Sequence, residues 1–229
     1  MKKYAIKALC LFTVFVMVAG LCGCSGSGVD FSCDEIVEYM ENKYGMDFEL
    51  YGSEDDYVTK NYSLEVYVTT SSLPDKQIFA KCFVNDLDTL EKQYCDNYVA
   101  CLYEDETREL VTEIANEVYP DGKVEYTAGQ TQWDEIEGEI TFENFLEQGD
   151  DLDFLILLPH GYSQATKDED AEKLCALLNE KNIKGLVTVA WAQSDEQYDT
   201  FLTDDYVRGT YDLYANITLN GDSEEITWQ

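Results

Sequence analysis

Asp153-Phe154-Leu155-Ile156-Leu157-Leu158 is an unbroken apolar run behind a single acid. A strand with one wet face alternates apolar and polar residues. A run without alternation suits a central strand buried on both faces. Downstream, Thr166 and Glu169 have capping-box spacing, and Ala171, Leu174, Cys175 and Leu178 share one helical face that ends near Asn182. Gly185 then leads into Leu186-Val187-Thr188-Val189-Ala190-Trp191-Ala192-Gln193, a second largely buried strand. Strand, helix and strand in this order are the core of an α/β unit.

Working outward, Ser194 and Gln197 open a short helix reaching Leu202, and residues 210–219 form a long alternating strand with Tyr211, Leu213, Ala215, Ile217 and Leu219 on one side. Upstream, residues 141–147 read as a short helix and 123–127 as a strand. Tyr98 to Val118 reads as one long helix ended by Pro120-Asp121-Gly122. Residues 62–70 alternate strictly, with Leu64, Val66 and Val68 on the dry face. A turn at 71–76 joins them to a strand at 77–85, and so short a connection makes the pair antiparallel. Ser32 and Glu35 form a capping box for a helix from Cys33 to Tyr44, stopped by Gly45, before a short strand at 48–51. The predicted fold is α+β: mixed or antiparallel sheets with helices packed on one face, in two small subdomains at 32–127 and 128–229 that could be continuous.

The first residues have another purpose. Lys2, Lys3 and Lys7 precede an uncharged apolar run at 8–21, followed by Leu21-Cys22-Gly23-Cys24 and a Ser/Gly-rich stretch. A basic start, a short apolar core and a small-residue cleavage site describe a secretory signal. The run is shorter than the ~20 residues that span a bilayer. Leu21-Cys22-Gly23-Cys24 resembles the lipobox of bacterial prolipoproteins, with Cys22 standing where Ala or Ser is more usual. The resemblance covers residues 1–24 alone. It implies a signal peptide over 1–23, cleavage before Cys24, and diacylglycerol on the Cys24 sulfur. Residues 24–31 then form a lipidated tether to the membrane.

Removing 23 of the 229 residues leaves 206, carrying all 47 acids but only 12 of the 15 basic residues, a net charge of −35. Such a surface excludes nucleic acid as a partner, because phosphate binding needs basic groups. It also opposes lying flat on anionic lipid. Five cysteines remain beyond Cys24: Cys33, Cys82, Cys95, Cys101 and Cys175. Their number is odd and their spacing wide, so they read as small buried hydrophobes, with a single bridge as the alternative in a compartment that permits it.

Catalytic patterns are sparse. His160 is the sole histidine, and any Ser–His–Asp triad must use it. Gly161-Tyr162-Ser163-Gln164-Ala165 departs from the GxSxG elbow at its last residue, and the histidine precedes the serine. Trp133-Asp134-Glu135-Ile136-Glu137-Gly138-Glu139 sets acids beside an indole, as sugar-processing sites do. Asp150-Asp151-Leu152-Asp153 and Asn220 to Glu225 are acidic enough for calcium but lack the EF-hand pattern. Tyr67 and Tyr214 stand out among 17 tyrosines as strand-face positions suited to recognition or to sheet packing. No pattern requires a cofactor or a metal.

The expectation is a lipid-anchored extracytoplasmic protein of a Gram-positive-type envelope. It acts as a non-catalytic binding module, with the membrane and an envelope protein or ligand as partners. The alternatives are an envelope hydrolase using carboxylates or His160, and a solute-binding lipoprotein.

Overall fold

The computed structural model describes residues 29–51, 58–60, 62–126, 139–149, 152–203, 209–220 and 224–229. The fold is α+β, built on two sheets. Helix α1 (Cys33–Tyr44) leads into β1 (Glu49–Leu50), β2 (Val58–Lys60), β3 (Ser63–Thr70), β4 (Leu73–Val84) and β5 (Lys92–Asp96). These five strands form an antiparallel sheet in which β1 and β2 both pair with β3, and β4 lies between β3 and β5. Helices α2 (Tyr98–Leu102) and α3 (Glu104–Val118) carry the chain to β6 (Lys123–Tyr126). Then come α4 (Phe142–Gln148), β7 (Leu152–Leu158), α5 (Lys167–Glu180), β8 (Gly185–Trp191), α6 (Asp195–Thr200), β9 (Leu213–Leu219) and β10 (Glu224–Trp228). The second sheet runs in chain order from β6 to β10, and β7 with β8 is its parallel pair.

Both sheets bury the faces that the alternation marked, except that β9 begins at Leu213 and Tyr211, expected on its buried side, packs in the opposite cluster. Leu64, Val66 and Val68 of β3 lie opposite Cys82, Ala80 and Ile78 of β4, and all six are buried beneath Ile36 and Met40 of α1. In the second sheet Phe154, Ile156 and Leu158 of β7 pair with Val187, Val189 and Trp191 of β8 and join this same core. The alternate residues Leu155 and Leu157 face the other way. They pack with Ala190, Ala192 and Phe201 under the short α6, so β7 is buried on both faces as its run without alternation requires. β6, placed by the sequence with the first half, pairs with β7 in the second sheet. One continuous cluster of buried side chains spans both sheets.

Several local expectations change. The helix expected over 98–118 breaks at Tyr103 into α2 and α3, and the Tyr103 ring packs against Phe142 and Phe145. β4 begins at Leu73, inside the expected turn, with a register shift against β3 between Val68 and Thr70. Pro74 fits there because β5 pairs only with Ala80 to Val84, leaving one edge of β4's first half without a strand partner. Two of the three capping pairs fail. Neither Ser32 nor Thr166 makes a side-chain cap bond. Ser194 accepts a hydrogen bond from the Gln197 N–H at 3.1 Å, as expected. Gly45 ends α1 at φ +68, its N–H donating to the Glu41 carbonyl.

Candidate functional site

β7 and β8 run parallel, and β6 and β9 run antiparallel to them. The end of the sheet where β7 and β8 finish is therefore where β6 and β9 begin. In open α/β sheets this carboxyl end is the usual place for a ligand. His160 follows β7, Gln193 and Ser194 follow β8, and Asp212 precedes β9, so three distant stretches of sequence meet there.

His160 is half exposed. Its Nδ1 lies 3.2 Å from the Ala192 carbonyl oxygen and 3.6 Å from Asp212 Oδ2. A neutral ring bonded to that carbonyl carries its proton on Nδ1, leaving Nε2 as an acceptor. The Ala192 carbonyl orients the ring and Asp212 stands beyond hydrogen-bond distance, whereas a triad needs a carboxylate bonded to Nδ1 and a hydroxyl or thiol on Nε2. Ser163, the one elbow-like serine, turns its hydroxyl to the Ala165 N–H at 3.3 Å instead. Among the described residues no nucleophile is hydrogen-bonded to His160. The buried thiols offer none, since burial, with Glu104 adding, pushes Cys101 up to about 12 and burial also raises Cys82. Cys82, Cys95, Cys101 and Cys175 are all buried and Cys33 is half-buried.

Beside His160, a shallow groove of about 540 Å³ is lined by Gln193, Ser194, Glu196, Gln197, Thr200, Gly209 and Thr210. Its polar groups hold one another. The Gln193 N–H donates to Gln197 Oε1 at 2.8 Å, Gln197 Nε2 donates to the Thr210 carbonyl at 3.3 Å, and the Thr210 hydroxyl donates to Gln193 Oε1 at 3.1 Å. The lining contains neither His160 nor a pair of convergent acids. The lining is polar, with Glu196 its one carboxylate.

A second polar cluster ties α1 to the first sheet. Asp96 is buried and accepts from Tyr39 Oη at 3.0 Å, Lys43 Nζ at 2.9 Å, Tyr44 Oη at 2.7 Å and the Tyr98 N–H at 2.9 Å. Burial, with the Asp96 charge beside it, drives the Tyr44 hydroxyl far above its ordinary range. Nearby, Glu35 accepts from Lys92 and Tyr94. Burial raises the Glu35 carboxyl, but these bonds and the Lys92 charge outweigh it and hold it below the ordinary value. Every oxygen of Asp96 is engaged by the protein, so the cluster is structural. Local sequence did not mark it, although Tyr39 and Lys43 one turn apart on α1 were the available sign.

The remaining candidates divide. Cys24 and residues 133–138 lie outside the described residues, as do Asp150, Asp151 and 221–223. Of the acids there, Glu139 is exposed and offers its carbonyl to Asn144. Asp153 is exposed on the outer face of β7. Among the described residues no three His, Cys, Asp or Glu side chains converge as metal ligands. Tyr67 and Tyr214 are half-buried in their sheets. Tyr67 meets Phe79 edge-on with centroids 6.1 Å apart, and the Tyr214 hydroxyl donates to Gln229 Oε1 at 2.6 Å. Both serve packing.

No protein-family profile matches the chain, and no curated protein matches it. Among solved structures, a DUF5037 family protein from Ruminococcus gnavus is similar at 11% identity and a TM-score of 0.42, over 84% of this chain and 93% of that one.

Proposed function

We propose that this chain is an exported lipoprotein, anchored through Cys24 to the outer face of the cell membrane, whose folded part is a non-catalytic binding module. The observation that carries the reading is Leu21-Cys22-Gly23-Cys24 behind a basic, then apolar, leader. Two acyl chains on one cysteine hold a protein stably where a single chain is marginal. No described helix is long and apolar enough to cross a membrane, so among the described residues nothing competes with a lipid for this role. The binding half of the proposal is supported by the polar groove at the carboxyl end of β7 and β8, and by His160, to which no nucleophile among the described residues is hydrogen-bonded.

One complementation series tests both halves. Cells lacking the protein receive the wild type, Cys24→Ala or His160→Ala, and are fed a fatty-acid analogue. Wild type and His160→Ala should take up label and restore the phenotype. Cys24→Ala should remain an unlabelled precursor. Label on Cys24→Ala overturns the anchor. A normally folded His160→Ala that behaves like the deletion overturns the non-catalytic reading, since removing a triad base costs orders of magnitude in rate.

A further inference from the structure

We propose that the β4–β5 turn, carrying Leu87 and Leu90 with Tyr62 beside it, is the surface that settles into the outer leaflet of the membrane holding Cys24. This inference rests on the lipid anchor proposed above. Leu87 is 56% exposed, Leu90 40% and Tyr62 38%. They are three of the six large apolar side chains exposed among the described residues, and they sit together: the Val84 N–H at the end of β4 donates to the Tyr62 carbonyl at 2.9 Å.

The turn is a built feature. Asp86 accepts the Asp88 N–H on its carboxylate and the Leu90 N–H on its carbonyl, both at 2.9 Å. Asn85 donates to Gln93 at 2.9 Å across its base. Leu90 is held at φ +54, a conformation that favours glycine or asparagine. Leu90 is part of neither buried cluster, so core packing does not account for a leucine in that conformation.

The anchor is close by. Phe31, at the end of the tether, packs against the core with its ring 5.6 Å from Lys92 Nζ. Lys92 is the first residue of β5 and directly follows the turn. The described end of the tether therefore lies near the side chain of the residue that opens β5, two positions after Leu90. Seven residues from Cys24 to Phe31 reach at most ~25 Å, so an anchored domain keeps this turn near the bilayer.

Charge decides how the contact forms. Asp86, Asp88 and Glu91 share the turn, and an anionic surface repels them. The apolar groups are too few to recruit the domain from solution, but a short tether makes the encounter intramolecular. Once held there, the leucines enter the acyl boundary, Tyr62 sits at the headgroup level where tyrosine is favoured, and the acids stay in water. A second copy of the chain fits the surface poorly, because a two-fold contact would press the same acids against each other.

The test uses acylated protein extracted from membranes and returned to vesicles of phosphatidylcholine and phosphatidylglycerol. A spin label is placed at Leu87→Cys, at Thr89→Cys as a second site on the turn, or at Glu196→Cys in α6 as a reference, each with Cys33→Ser. Collision with oxygen, which concentrates in lipid, is compared with collision with a water-soluble nickel chelate. Labels at 87 and 89 should favour oxygen several-fold over the reference. Labels matching the reference, on protein whose mass shows acyl chains on Cys24, overturn the inference and leave the anchor standing. Label–label broadening without an oxygen preference puts a second copy there and overturns it too. Protein retained without acyl chains overturns the anchor and this inference together.

Discussion

Gly185 opens β8 at φ +130, where a Cβ would come closer than 3.0 Å to the N, C and O of Leu152. Those are backbone atoms of the paired strand β7, so they cannot rotate away. Gly185→Ala should destabilise the protein by at least about 3 kcal/mol, among the large effects of single substitutions. Gly45 makes the contrast. Its φ is +68 but nothing lies within 4 Å of a Cβ built there, so Gly45→Ala should cost only about 1 kcal/mol of backbone strain. Urea titration of the two variants checks the pair, and equal losses would contradict the steric account. Both glycines were visible in the sequence as punctuation, yet only the paired strand distinguishes them. His160 behaves similarly. Being the sole histidine singled it out, but its neighbour Asp212 lies 52 residues away and no local pattern links them.

At the level of elements, the caps separate local propensity from tertiary demand. Thr141 accepts the Asn144 N–H at 3.2 Å and caps α4. Ser32 at α1 makes no such bond, and the Glu35 carboxylate, the other half of its capping box, is drawn to Lys92 and Tyr94 across the fold. Thr141→Ala should cost about 1 kcal/mol, while Ser32→Ala should change stability by no more than a few tenths. Thermal denaturation of the two variants decides it, and a larger loss at Ser32 would show its cap to be made in solution. The strands that sequence reading missed are β2, which lies within a stretch read as an acidic loop over 52–61, and the edge strands β5 and β10. Lys92-Gln93-Tyr94-Cys95-Asp96 and Glu224-Glu225-Ile226-Thr227-Trp228 show little apolar alternation, because an edge strand is defined by the neighbour it pairs with, not by burial of one face.

For the molecule as a whole, buried side chains of both sheets form one cluster, from Ile36 and Val66 through Val111 and Val124 to Ile156 and Ala215. Opening either sheet alone would leave apolar surface of the other in water, and that penalty couples them. The fragment from residue 29 onward should therefore unfold in a single cooperative thermal transition without its lipid. Two resolved calorimetric transitions would show that the sheets melt separately. The sequence by itself determined the α+β class, the buried strands β7 and β8, the alternating strand β3 and helix α1, because periodicity of 2 or 3.6 and unbroken apolar runs are statements about burial that need no partner. Tertiary structure alone decided that β6 joins the second sheet, that α6 covers its far face, that Asp96 gathers Tyr39, Lys43 and Tyr44, and that His160 stands beside Asp212. Each of these depends on contacts between residues distant in the chain, whose free energy comes from packing and pairing that no local window contains.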